Sequence, residues 1–337
     1  MKFTMLRTAL NDGGRRLDRV LRKALPELPL SLIHRLLREG KVLVEGRPEG
    51  GAFRVEPGQS IALPAGICPP DGGPAEPGPP VREPDRGLRI IYESADLLAL
   101  NKGAGVEVHG GGESLETLVR SYLKPPPSLS FKPGPLHRLD KPTSGIVVFS
   151  ASLEGARRFS ALLREGRLRK EYLALVEGRV GGPGLWEDAL VRVQARTVAG
   201  AGGKPARTRY RPLAWGEWRP GAGAAQPGGE AAQGAGTARP GVYTLLALEL
   251  ETGRTHQIRA QAALHGHPLG GDAKYGGKAL PPDLYPARRG PGGPPAFLLH
   301  AWKLFTPAEE ALLPPSLEAP LPPYFRALLT KLFGTPL

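Results

Sequence analysis

The chain has a single cysteine, Cys68, among 337 residues. One thiol excludes an internal disulfide and a thiolate metal cluster, and its Pro-rich surroundings give it no structural role. Long apolar runs are also missing. Nothing approaches the roughly 18 uninterrupted apolar residues of a membrane-spanning helix, and neither terminus carries a basic amphipathic anchor. Met1 to Leu10 has no apolar stretch ahead of Asn11-Asp12-Gly13-Gly14, so no secretory signal is expected and the protein reads as cytoplasmic. No internal repeat is visible. Acidic residues are in deficit: 32 Asp and Glu face 45 Lys and Arg, a net charge of +13. That balance disfavours an acidic protein partner and favours a polyanion, nucleic acid first.

Several chemistries are excluded by spacing. Among seven histidines, only His256 with His265-Gly266-His267 forms a local cluster, and it matches no zinc pattern, so no metal is expected. Gly271 to Lys278 lacks the spacing of a phosphate loop. His137-Arg138-Leu139-Asp140 has one residue too many before its carboxylate for a kinase loop, and no Gly-rich loop precedes it. A metal-dependent nuclease would need two convergent carboxylates, for which only Asp140 and Asp272 are candidates.

Residues 1–63 read as a small module. Leu17, Val20, Leu21 and Leu25, then Leu32, Ile33, Leu36 and Leu37, fall at helical spacing, and strands are expected within 41–44 and 54–61. The helix surfaces carry Arg15, Arg16, Arg19, Arg35, Arg38 and Lys41. Such charges can be a plain solvated face, but nearly all are positive, which suits phosphates better than solubility alone requires. Residues 64–87 are crowded with Pro and Gly and read as an extended linker.

From Leu88 onward the pattern is mostly strand with a few helices. Strands are expected at 88–92, 97–101, 146–149, 170–176, 208–213, 242–250 and 297–305; helices are expected around Leu115 to Tyr122, after Ser152 and at the end of the chain. The Gly, Ala, Pro and Gln tract at 219–241 reads as a disordered insertion, and 281–295 as a second loop. Runs of strands without regular helix alternation predict an α+β fold on a mixed or antiparallel sheet, spanning 88–337.

The chemistry-bearing segments lie in this second region. Asp140 sits in a turn ahead of the apolar Ile146 to Phe149. A carboxylate there is held by the strand while its head group reaches a cleft, as a nucleophile or general base needs, though an ordinary Asx turn has the same composition. Arg169-Lys170-Glu171-Tyr172 puts a tyrosine on a strand, where sheet packing is its commoner fate. In Glu251-Thr252-Gly253-Arg254-Thr255-His256-Gln257-Ile258-Arg259, a strand meets a helix with Thr255 as N-cap, a natural anion site or simply a capped helix. A Gly-punctuated loop, His267 to Gly276, follows.

In that order, His-Arg-Leu-Asp with Thr-Ser-Gly, Lys-Glu-Tyr, Thr-Gly-Arg-Thr-His-Gln-Ile-Arg and Gly-Asp-x-x-Tyr-Gly resemble the RluA family of RNA pseudouridine synthases over roughly 88–310. The first module resembles the S4-like RNA-binding domain that often precedes it. Val108-His109-Gly110-Gly111 and Ser31 to Arg38 look most like the branch acting on large-subunit ribosomal RNA. The resemblance implies that Asp140 is the catalytic carboxylate, that Arg259 pairs with it and keeps it ionised, and that Tyr172 stacks on the target uracil. It implies that Arg138 enters the RNA stack vacated by the uridine, with His137, Arg254 and His256 also contacting RNA. No cofactor is implied, and a monomer is expected. A transfer-RNA synthase of the same family and a non-catalytic RNA-binding or ribosome-assembly factor are the alternative readings. Ala260-Gln261 departs from the Val-His expected after Arg259.

Overall fold

Apolar residues one helical turn apart build the first module. In the computed structural model, Leu17, Val20 and Leu21 of α1 (Leu17–Ala24) and Ile33, Leu36 and Leu37 of α2 (Leu30–Arg38) are all buried. They share a core with Val42, Val44, Val55 and Ile61. The helices accompany an antiparallel sheet of β1 (Phe3–Arg7), β2 (Leu43–Val44), β3 (Arg47–Pro48) and β4 (Ser60–Pro64), in the order β1-β4-β2-β3. The structure describes residues 3–65, 87–110, 112, 114–123, 128–219, 241–285 and 294–334. Most of the expected linker, and of the tract at 219–241, lies outside these residues.

The second module is one eleven-stranded mixed sheet. In chain order it contains β5 (Ile90–Glu93), β6 (Leu97–Lys102), β7 (Gly134–Pro135), β8 (Ser144–Ser150), β9 (Arg169–Glu177), β10 (Gly184–Val193), β11 (Arg196–Ala199) and β12 (Lys204–Trp218). It is completed by β13 (Gly241–Leu250), β14 (Leu299–Phe305) and β15 (Ser316–Glu318). The main path runs β11-β10-β12-β13-β9-β14-β8-β6-β5, with β15 on β14 and β7 on β8. Among the described residues, only β14 and β8 pair in parallel.

Central strands are buried on both faces, which explains their near-continuous apolar runs. On one face Tyr172, Ala174 and Val176 pack with Leu115 and Val119 of α3 (Leu115–Tyr122) and Ile258 and Ala262 of α5 (Gln257–Leu264). On the other, Leu173 and Leu175 meet Phe325, Leu328 and Leu329 of α6 (Pro323–Phe333). Further along that face, Ile146 and Val148 meet Phe159 and Leu162 of α4 (Leu153–Arg164). Ser152 caps α4 by accepting from the Gly155 N–H at 2.9 Å, as its position suggests.

The two modules are joined by more than a linker. The buried Asp12 carboxylate accepts from the Leu129 and Ser130 amides at 3.0 and 2.9 Å and from the Ser128 and Ser130 hydroxyls at 2.7 and 2.6 Å. Leu129 itself enters the core of the first module. Arg157 of α4 donates to the Gly13 carbonyl, and the Leu153 amide donates to Asn11. A buried carboxylate accepting several N–H and O–H groups recovers the hydration it loses.

Candidate active site

Asp140 is fixed by the backbone around it. Leu139 anchors the turn in the core, and the Thr143 amide donates to the Asp140 carbonyl at 2.9 Å. The Lys141 carbonyl accepts from the Gly105 amide at 2.8 Å and from Lys102 Nζ at 3.0 Å. Lys102 is 1% exposed and also donates to the Gly103 and Val106 carbonyls, so its three ammonium protons have three acceptors. Burial lowers its pKa to about 7, against the opposing pull of Asp140. After the turn, Gly145 has φ +110°, and a Cβ there would overlap the Ala301 backbone. Only glycine lets β8 come this close to β14.

The Asp140 side chain opens into a cleft of about 840 Å³ that Arg138, Tyr172, Arg254, His256 and Arg259 also line. The volume suits a nucleotide-sized ligand. Asp140 Oδ2 lies 3.7 Å from Arg259 Nη1 and 3.6 Å from His256 Nε2. Sequence reasoning expects Arg259 to pair with Asp140. Its main partner is instead Asp272, which accepts from Nε at 2.6 Å and from Nη2 at 2.8 Å. Asp272 is 2% exposed. The guanidinium also lies over Phe297, 4.4 Å from the ring centre. Burial opposes the Arg259 charge, but Asp272 and Asp140 outweigh it and raise its pKa. Arg259 is thus oriented by one carboxylate and turned toward another.

His256, rather than the expected Thr255, occupies the N-cap of α5, in a left-handed conformation with φ 54°. Its Nδ1 lies 2.8 Å from the Tyr275 hydroxyl, which accepts from the Thr197 amide at 2.9 Å. Burial first, then Arg259 and Lys274, lower its pKa, while Asp140 opposes them. Tyr172 is 6% exposed yet lines the cleft beside Asp140. Burial, and then the Asp140 charge, push its phenol pKa up, so it stays protonated.

The remaining candidates are dispersed. Arg138 is exposed at the cleft, whereas His137 Nε2 accepts from the Val148 amide at 3.2 Å and is committed to the fold. Arg254 Nε donates to the Pro205 carbonyl at 3.0 Å. Arg15 donates to Ser130 across the module junction and so faces the second module rather than solvent. Arg16 pairs with Asp18 and Lys41 with Glu39, while Arg19, Arg35 and Arg38 are exposed. Gln261, at the departure from the expected pattern, is buried and bonded to Thr208 and Asp188.

Sequence reasoning missed the roles of Lys102, Asp272 and Tyr275. The Gly-Asp-x-x-Tyr-Gly loop held the signal for the last two, since a carboxylate and an aromatic between glycines can close over a neighbouring arginine. Among the described residues, no group of three or more His, Cys, Asp or Glu could hold a metal ion.

A carboxylate set among a guanidinium, an imidazole and a cleft-lining tyrosine, on a mixed sheet with a basic mouth, suits base chemistry on nucleic acid. Residues 96–264 match the RNA pseudouridylate synthase family, and the chain belongs to it. It is therefore an RNA pseudouridine synthase, an isomerase. Among curated relatives, the ribosomal large subunit pseudouridine synthase D of Nitrosomonas europaea is 32% identical over 302 residues, 87% of this chain and 77% of the relative. The ribosomal large subunit pseudouridine synthase C of Salmonella typhi is 28% identical over 309 residues, 84% and 82% of the two chains. The solved human RNA pseudouridylate synthase domain containing 1 is 25% identical with a TM-score of 0.51, covering 73% of this chain and 89% of that one. The human domain containing 4, at 20% identity and a TM-score of 0.53, covers 72% and 92% and shares the fold.

Proposed function

We propose that the protein converts particular uridines of large-subunit ribosomal RNA to pseudouridine, with Asp140 as the catalytic carboxylate. The observation that carries the mechanism is Asp140 at the cleft, 3.7 Å from the buried Arg259 and beside Tyr172. The names of the curated relatives support the substrate, and the net charge of +13 suits it. Uridine and pseudouridine have the same atoms. The N1–C1′ bond breaks, the base turns, C5 bonds to C1′, the C5 proton leaves and N1 takes up a proton, so no atom is gained or lost. Asp140 attacks the sugar or the ring during this exchange, while Arg259 compensates its charge. Tyr172, its phenol protonated, stacks on the uracil.

The base is unreachable inside a stack, so the nucleotide is extruded at a cost of a few kcal/mol. Arg138 fills the space left behind, and phosphate contacts from the S4-like first module offset that cost. The protein acts as a cytoplasmic monomer. Mapping carbodiimide-reactive pseudouridines in total RNA from cells with and without the protein tests the substrate. Signals should vanish from large-subunit ribosomal RNA, and loss from transfer RNA alone would overturn that assignment. Asp140→Asn should abolish product while RNA binding survives; a variant as active as its parent refutes the mechanism.

A further inference from the structure

Among the described residues, Lys170 is a cation without a partner. It stands on β9 two residues before Tyr172, so the two side chains project from the same face of the strand, about 7 Å apart along it, and both line the cleft. Unlike Arg138 it is not at the exposed rim; it is half-buried. Its cross-strand neighbours are Leu250 on β13 and Leu304 on β14, neither of which offers a side-chain acceptor. The nearby carboxylates are engaged elsewhere: Glu171 with Arg211, Glu249 with Arg169, and Glu251 with Arg207 and Arg209. Among the described residues, Lys170 makes no hydrogen bond or ion pair. Burial alone lowers its pKa.

A partly dehydrated ammonium costs folding energy unless an anion satisfies it. Uridine is neutral at pH 7, so the anion an RNA substrate can bring is a phosphodiester. We propose that Lys170 binds a phosphate flanking the extruded uridine and thereby fixes how deep the nucleotide sits against Tyr172 and Asp140. This inference rests on the isomerase reading of the same cleft. It separates Lys170 from the exposed arginines, which meet the RNA wherever it passes, because Lys170 is reached only by a nucleotide that has left the stack.

The test pairs the enzyme with a stem-loop RNA centred on the uridine found by mapping. In two further RNAs, the phosphate on the 5′ or the 3′ side of that uridine is replaced by an uncharged methylphosphonate. On the unaltered RNA, Lys170→Met should raise KM about tenfold, the scale of one charge-assisted hydrogen bond, with kcat changed far less, and Lys170→Arg should recover most of the loss. One of the two methylphosphonates should weaken the parent enzyme by the same factor and leave Lys170→Met no weaker than it already is. Losses that multiply for both phosphates, or a Lys170→Met variant with the parent's KM, overturn the assignment. The methylphosphonate effect on the parent needs no variant to fold, and if neither linkage weakens the parent the proposal fails. An RNA that the parent does not convert counts instead against the choice of substrate.

Discussion

Two carboxylates share one guanidinium in the cleft. Asp272 takes the two short bonds, so Arg259 reaches Asp140 only at 3.7 Å. A guanidinium held this way stabilises charge on Asp140 without closing over it, which leaves the carboxylate free to meet the nucleotide. Asp272→Asn keeps the shape but removes the charge, so Arg259 should swing toward Asp140 and cover it. The expected result is a fall in kcat of up to about a hundredfold, the scale of an ångström's misplacement, with KM nearly unchanged. Steady-state kinetics on a mapped RNA would show this, and an unchanged kcat would remove Asp272 from the mechanism. Of these residues, Asp140, Arg259 and Tyr172 were legible because each lies in a short, chemically unusual string. Asp272 lies in such a string too, between glycines, but the arginine it holds was not legible, because a pairing between side chains distant in sequence leaves no local pattern.

Among the elements of the described residues, β8 and β14 form the sole parallel pair, and a histidine ties them together. His300 of β14 lies 2.8 Å through Nδ1 from the Ser144 hydroxyl of β8, and 3.1 Å through Nε2 from the Ala319 carbonyl. Burial lowers its pKa from 6.5 to about 4, with the Ala319 bond opposing. The unfolded chain therefore takes up a proton below pH 6.5 that the folded chain refuses until about 4, and stability falls as the pH drops through that interval. On the order of 3 kcal/mol should be lost, read from denaturant midpoints at several pH values, and His300→Gln should flatten the slope. The strands with apolar runs, β8, β9 and β13, could be read from sequence because burial on both faces writes itself as unbroken hydrophobicity. Several strands escaped such reading, β10 and β1 among them. β10 alternates Trp186 and Leu190 with charged residues too irregularly, and only the fourth residue of the five-residue β1 is buried. Strand order escaped as well, since partners up to 156 residues apart, such as Ser144 and His300, share no local signal.

At the scale of the molecule, the Asp12 junction decides how the basic module is presented. Removing this buried carboxylate should leave the Leu129 and Ser130 amides and the Ser128 and Ser130 hydroxyls without their acceptor. Asp12→Ala should cost about 3 kcal/mol and let the modules separate. Hydrogen exchange at the Leu129 and Ser130 amides should speed up while the amides of β8 and β9 stay protected, and unchanged protection would show that the other contacts of the junction hold it without Asp12. The place of β14 has a consequence for how the enzyme is made. Asp140 precedes β8, Tyr172 lies on β9, and β14 runs between those two strands. A ribosome that has delivered only the first 290 residues has produced Asp140, Tyr172 and Arg259 but not the strand that sets the first two side by side. Contacts of such long sequence separation form late and slowly. The nascent chain is therefore unable to act on the RNA of the particle synthesising it until that last central strand has emerged and inserted.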